Sequence, residues 1–205
     1  MVHMAGRPRE FDRELALRQM QTVFWERGYD ETSITDLVAA TGLASARLYA
    51  AFGPKEAMFR SCIDLYRREE GGFADRALAE EPTVRGALSR MFHEAATVYS
   101  RPTPRGCMIV SAATSCASAD DGLRDWLQNQ RRRRTDAIKQ RLVAAVAAGE
   151  LPPDLDSRAV GDALAALLHG LSVQARDGVP RRRMVSLIPA ALGMLGPPDV
   201  PGSST

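Results

Sequence analysis

Residues 33–59 read SITDLVAATGLASARLYAAFGPKEAMF, and this stretch decides the fold. Ser33-Ile34-Thr35-Asp36 has the Ser-x-x-Asp form of a capping box, in which hydroxyl and carboxylate each satisfy a backbone N–H at a helix start. Ile34, Leu37 and Val38 follow at i, i+3, i+4, the spacing of one helix face, and Gly42 stops that helix. A second short helix is predicted from Ser45 to Phe52, with Leu48 and Phe52 turned inward four residues apart. Arg47 and Tyr49 must then point elsewhere. Gly53-Pro54 opens a longer helix, because a proline in the first turn forfeits no hydrogen bond. Two short helices joined by a glycine turn, the second packed on one side and free on the other, are the layout of a helix-turn-helix DNA reader.

Upstream, Asp12 is an N-cap residue with Phe11 ahead of it, and Ala16, Met20, Val23 and Phe24 give the following helix its apolar face until Gly28 ends it. Downstream, Met58, Phe59, Cys62, Ile63 and Tyr66 line one side of the helix after Pro54, with Gly71-Gly72 as its weak point. Further helices are predicted from Pro82 to Ser100, from Gly106 to about Ala117, from Asp120 to Ala148, from Asp156 to Arg176 and from Pro180 to Leu195. Period-2 alternation is absent over any useful length. The chain therefore reads as all-α, with about nine helices.

A free helix reads DNA by placing polar side chains at base edges. Its outer side here offers Ser45, Ala46, Arg47, Tyr49 and Ala50, of which Arg47 alone can bind guanine O6 and N7 in bidentate fashion. Alanines at 46, 50 and 51 let the backbone come close. Phosphate contacts are expected at helix starts, where unpaired N–H groups and the positive dipole end face an anion. Lys55, one of two lysines in the chain, stands at such a start, and Thr35 and the Tyr49 hydroxyl are further donors. Gly6-Arg7-Pro8-Arg9 forms a short basic arm through which Arg7 and Arg9 reach a neighbouring groove or the backbone. Taken singly, an arginine or a helix-start lysine is ordinary surface; the joint placement around Gly42 and Gly53-Pro54 sets these apart.

The segment from Ser33 to Phe59 closely resembles the signature of the tetracycline-repressor (TetR) family of transcriptional regulators: the Ser-Ile-Thr-Asp-Leu-Val-Ala-Ala-Thr-Gly-Leu run, Leu48-Tyr49, Phe52 and Gly53-Pro54-Lys55-Glu56. The likeness extends from about Phe11 to Tyr66. It implies a homodimer with an N-terminal DNA-binding domain and a C-terminal effector and dimerisation domain, acting as a repressor that a small molecule releases from double-stranded operator DNA. By position, Thr35, Ser45, Ala46, Arg47, Tyr49 and Lys55 fall where family members touch DNA. Two positions depart from the pattern. Ala44 stands where a serine usually caps the recognition helix, leaving Ser45 to take over. Val38 replaces a smaller alanine facing the turn. The division expected is residues 1–55 for DNA binding, 56–197 for effector binding and dimerisation, and 198–205 as a disordered tail.

Leu164, Leu167, Leu168 and Leu171 form one apolar stripe, and Leu187, Ile188, Ala191, Leu192 and Leu195 a second. Two such helices at the end of a chain can pair with a twofold copy in a four-helix bundle, so the homodimer is expected through the two C-terminal helices. That places the recognition helices about 34–36 Å apart over a near-palindromic operator. The effector cavity is expected among the central helices, with Met91, Phe92, Tyr99, Met108, Trp126, Leu127, Gln130 and His169 as lining candidates, although residues of these types build plain core as readily. Arg131 to Arg134 spreads around a helix at 3.6 residues per turn and reads as a solvated face, the sharper alternative being an acidic effector or partner.

Composition and motifs exclude much. Phosphate-binding glycine loops, a GxSxG elbow, HExxH and clustered metal ligands are missing, so neither catalysis, metal nor cofactor is expected. The net charge of +2 is too mild to argue nucleic-acid binding by itself. No apolar run approaches the ~18–20 residues of a membrane span and no signal-peptide core is present, so a cytoplasmic protein without a membrane partner is expected. Met1 to His3 fit nothing that follows and read as an appendage ahead of a start at Met4. Three cysteines form neither a disulfide set nor a zinc spacing. Cys107 and Cys116, on one helix, would stand about 13 Å apart, too far for a disulfide. A single reactive Cys107 thiolate remains as a redox-sensing alternative.

Overall fold

The computed structural model describes residues 11–103, 106–113, 116 and 121–197. Among them the chain forms α1 (Arg13–Arg27), α2 (Ile34–Thr41), α3 (Ser45–Phe52), α4 (Lys55–Arg68), a 3-10 turn (Glu70–Gly72), α5 (Phe73–Glu80), α6 (Val84–Tyr99), α7 (Met108–Ala112), α8 (Asp121–Ala147), α9 (Ser157–Arg176), α10 (Arg181–Val185) and α11 (Ile188–Gly193), with no strand. The predicted all-α class stands. Arg7 and Arg9, Met1 to His3, and the tail from 198 lie outside the described residues.

Local chemistry sets the ends of the first four helices. The Asp12 carboxylate accepts from the Glu14 and Leu15 amides at 3.0 Å each, starting α1. At α2 the capping box is complete: Ser33 Oγ accepts from the Asp36 amide at 3.1 Å, and Asp36 accepts from the Ser33 amide at 2.8 Å. These contacts from Ser33, with Arg27 2.6 Å away, hold the Asp36 carboxyl below its ordinary range. Gly42 ends α2 in a left-handed conformation. α3 begins at Ser45 as predicted, but Ala44 remains its N-cap and provides no side-chain bond, so Ser45 does not take over the cap.

The packing beneath these helices is aromatic. Phe24 of α1 meets Phe59 of α4 edge-on at 5.1 Å, Tyr29 lies 5.1 Å from Phe59, and Trp25 meets Tyr66 at 4.8 Å. Leu37 and Leu48 close this core without exposure. α4 is thus clamped to α1 along its length, and the Arg18–Glu69 ion pair joins α1 to the C-terminal end of α4.

α6 is the central strut of the remainder. Val84, Ala87, Leu88, Met91, Phe92, Ala95, Ala96 and Tyr99 are buried, and α5, α8, α9, α10 and α11 pack around it. The last predicted helix is broken into α10 and α11. Pro189 has no N–H to give the Val185 carbonyl and disfavours helical geometry at Ile188, so the chain turns at Ser186–Leu187 before resuming. Ile188, Ala191 and Leu195 are then buried within the protomer, with α11 lying on α6. Three of the five residues of the second apolar stripe are therefore spent in the protomer's own core, and Leu187 and Leu192 pack against it half-buried. α7 also differs from expectation. It ends at Ala112, so Cys107 and Cys116 do not share one helix and helical rise does not set their separation.

Candidate functional site

The DNA-reading side is built by α2, α3 and the start of α4. Leu48 and Phe52 anchor α3 inward, which leaves Thr35, Ser45, Ala46 and Tyr49 exposed, Tyr49 to 48%. Arg47 is half-buried because its guanidinium lies over the Phe11 ring, 4.8 Å from the centroid. Phe11 packs in turn on the edge of Phe52 at 6.3 Å. Lys55, the first residue of α4, places its ammonium 4.5 Å from the Tyr29 ring centroid. Cation–π contact with a ring restrains a long side chain without neutralising it, and so presents the charge outward with less ordering left to do.

A second site lies inside the helical body. A cavity of about 210 Å³ opens between α4, α6, α8 and α9, lined among others by Tyr66, Tyr99, Cys107, Gln130, Arg131 and His169. Arg67, Asp75, Arg133 and Arg134 also line it, together with the apolar Ile109, Val110 and Leu168. Gly106 is what brings Cys107 here. Its φ of +77° suits glycine, and a Cβ would strike the Ser172 carbonyl at 2.8 Å; the tight approach lets the Cys107 amide donate to Ser172 Oγ at 2.7 Å. Gly71 is likewise required by close approach, since its Cβ would fall 2.3 Å from the Tyr66 ring.

The electrostatics of this cavity are unusual for an interior. Burial, and then the neighbouring Cys107 thiol, push the Tyr66 and Tyr99 phenols well above their ordinary value, so both remain proton donors. Burial lowers the Arg131 pKa, and burial followed by the Arg131 and Arg134 charges lowers that of His169, which favours a neutral imidazole. Arg134 is neutralised by Asp75 at 3.3 Å and donates to the Gly71 carbonyl at 3.1 Å. Arg131 makes no ion pair among the described residues.

Residues 21–62 match the family model for bacterial regulatory proteins of the tetR family, and residues 85–183 match the tetracyclin repressor-like C-terminal domain. The HTH-type transcriptional repressor ComR of Escherichia coli (strain K12) is 32% identical over 184 residues, covering 89% of this chain and 88% of ComR. This chain belongs to the TetR family. The TetR family regulator CifR, solved as a cysteine-substituted variant with 26-bp operator DNA, is 34% identical and superposes with a TM-score of 0.85 over 91% of this chain and 98% of its own. The uncharacterised regulator YezE of Bacillus subtilis (strain 168) is 30% identical over 71% of this chain and 76% of its own. As a TetR family member the protein is a DNA-binding transcriptional regulator and not an enzyme.

Within this TetR frame the expected cavity residues divide. Tyr99, Gln130 and His169 line the cavity. Met91, Phe92, Met108 and Leu127 are spent in the core at 0–2% exposure, and Trp126 lies under the Arg60 guanidinium at 4.7 Å. Tyr66, Cys107, Arg131 and Arg134 line the cavity as well. The arginine run is not uniformly solvated: Arg132 and Arg133 are exposed, whereas Arg131 and Arg134, three residues apart on one face of α8, turn inward. Only that i, i+3 spacing hinted at the difference.

Proposed function

We propose that the protein is a homodimeric repressor that occupies a near-palindromic operator through Thr35, Ser45, Ala46, Arg47, Tyr49 and Lys55, and that a small molecule entering the α4–α6–α8–α9 cavity releases it. The observation that carries this reading is that α4 runs from one candidate site to the other. Lys55 begins α4, and Tyr66 and Arg67, at its other end, line the cavity. Eleven residues of helix span about 16 Å. A ligand that displaces Tyr66 moves a rigid rod whose far end bears the phosphate contact, and α1, held to α4 by Trp25–Tyr66 and Phe24–Phe59, moves with it.

The dimer face is assigned to α8 and α9. These helices leave Val143, Ala144 and Ala147, and Ala159, Ala163, Ala166 and Val173, open to solvent, small and branched residues that allow close helix approach. The operator then presents half-sites about 34–36 Å apart. Footprinting on the promoter beside the protein's own gene tests DNA recognition, and sedimentation of Ala163→Arg tests the dimer face. Coupling must be reciprocal, so saturating operator lowers effector affinity by the factor with which effector lowers operator affinity. Unchanged effector affinity on DNA would defeat the release scheme.

A second reading, sensing through Cys107, rests on the place of that thiol beside Tyr66 and Tyr99 on the cavity wall. Cys62, by contrast, is fully buried with its pKa driven up by desolvation. Mass-resolved thiol labelling separates the two readings: adduct confined to Cys107, with DNA release lost in Cys107→Ser, supports a thiol sensor.

A further inference from the structure

Among the described residues, buried polar side-chain atoms without a hydrogen-bond partner are few, and three of them, Tyr66 Oη, Gln130 Oε1 and Arg131 Nη1, belong to residues that line the same cavity. Buried polar groups in native proteins are satisfied as a rule, so three orphans around one void mark the place of a missing partner. Tyr66 is 1% exposed and Gln130 9%. They combine with an excess of positive charge. Arg134 has Asp75 and Arg67 has Asp64 at 3.8 Å, but Arg131 has no carboxylate partner among the described residues. Even partial desolvation of a guanidinium without a counter-ion is costly, and the carboxylate that lines the cavity, Asp75, is paired with Arg134.

We propose that the effector is a small organic carboxylate whose anion pairs with Arg131 and accepts a hydrogen bond from Tyr66. The assignment rests on the effector reading above and names the ligand's chemistry. The carbon skeleton lies against Ile109, Val110 and Leu168, which distinguishes it from an inorganic oxyanion that needs no apolar wall. A donor on the ligand meets Gln130. The volume of about 210 Å³ falls below the roughly 300–1,000 Å³ of drug-sized pockets, so the ligand is a small acid.

The test uses the full chain with 4-hydroxybenzoate and 3-hydroxybutyrate, their neutral amides, and sulfate, read by thermal shift and by release of operator DNA. A carboxylate is expected to raise the Tm and release DNA where its amide and sulfate do not. Arg131→Gln is expected to weaken carboxylate binding by about tenfold or more, as loss of a charge-assisted bond does. The same substitution should raise the Tm of the ligand-free protein, because it removes an uncompensated charge; an arginine of merely structural importance would lower it. The exposed Arg132→Ala serves as the control that retains binding. An amide as effective as its acid, sulfate as effective as both, full binding by Arg131→Gln, or no shift with any carboxylate overturns the assignment. Release that depends on a Cys107 adduct and survives Arg131→Gln overturns it too, while leaving effector control intact. Carboxylate binding without DNA release would keep the anion site and defeat the release reading.

Discussion

The Arg47 guanidinium rests 4.8 Å from the centroid of the Phe11 ring, joining the recognition helix α3 to the residue that precedes the N-cap of α1. The base-reading charge is therefore positioned from outside its own helix. Arg47→Ala is expected to relax preference at one base pair by ~1–3 kcal/mol. Phe11→Ala should weaken binding by only ~0.5–1 kcal/mol, the worth of an exposed cation–π contact, with base preference kept. Site selection with both variants measures the difference.

Lys55 should behave otherwise. At the start of α4 its charge serves phosphate and carries no sequence information. Lys55→Ala is expected to weaken all DNA sequences alike and to reduce the salt slope by about one. Titration of operator and random duplex across a salt series shows it.

The recognition helix lacks a side-chain cap. Ala44 already has extended backbone angles, φ −61° and ψ 147°, which an N-cap serine adopts without strain. Ala44→Ser should therefore stabilise the protein by ~1 kcal/mol and slow hydrogen exchange in the first turn of α3. Denaturant unfolding followed by amide exchange reports both effects.

Acid should weaken the ligand-free protein through His169, whose folded-state pKa lies below its ordinary 6.5 because of burial and the Arg131 and Arg134 charges. Above pH 6.5 both states hold a neutral imidazole and nothing is lost. Below it the unfolded chain binds the proton first, so stability falls as pH drops from 6.5 through the depressed folded value. His169→Gln should flatten the Tm profile across that window.

Much of the DNA-binding unit was legible because its determinants are local. The Ser33–Asp36 box, Gly42, and the i, i+4 pair Leu48 and Phe52 act within a few residues of one another. The missing cap at Ala44 was visible for the same reason. The break in the terminal helix was not legible in the spacing, because Pro189 divides a stripe that keeps its apolar periodicity on both sides.

By itself, the order of residues determined the helical class, the family and the free face of α3, since capping, turn chemistry and helical periodicity operate over one or two turns. Only tertiary structure decided the cavity. Whether Arg131 faces inward while Arg132 faces solvent, and whether Tyr99 borders a void while Met91 fills the core, depends on how α4, α6, α8 and α9 stack, and a void is the volume that packing leaves unfilled.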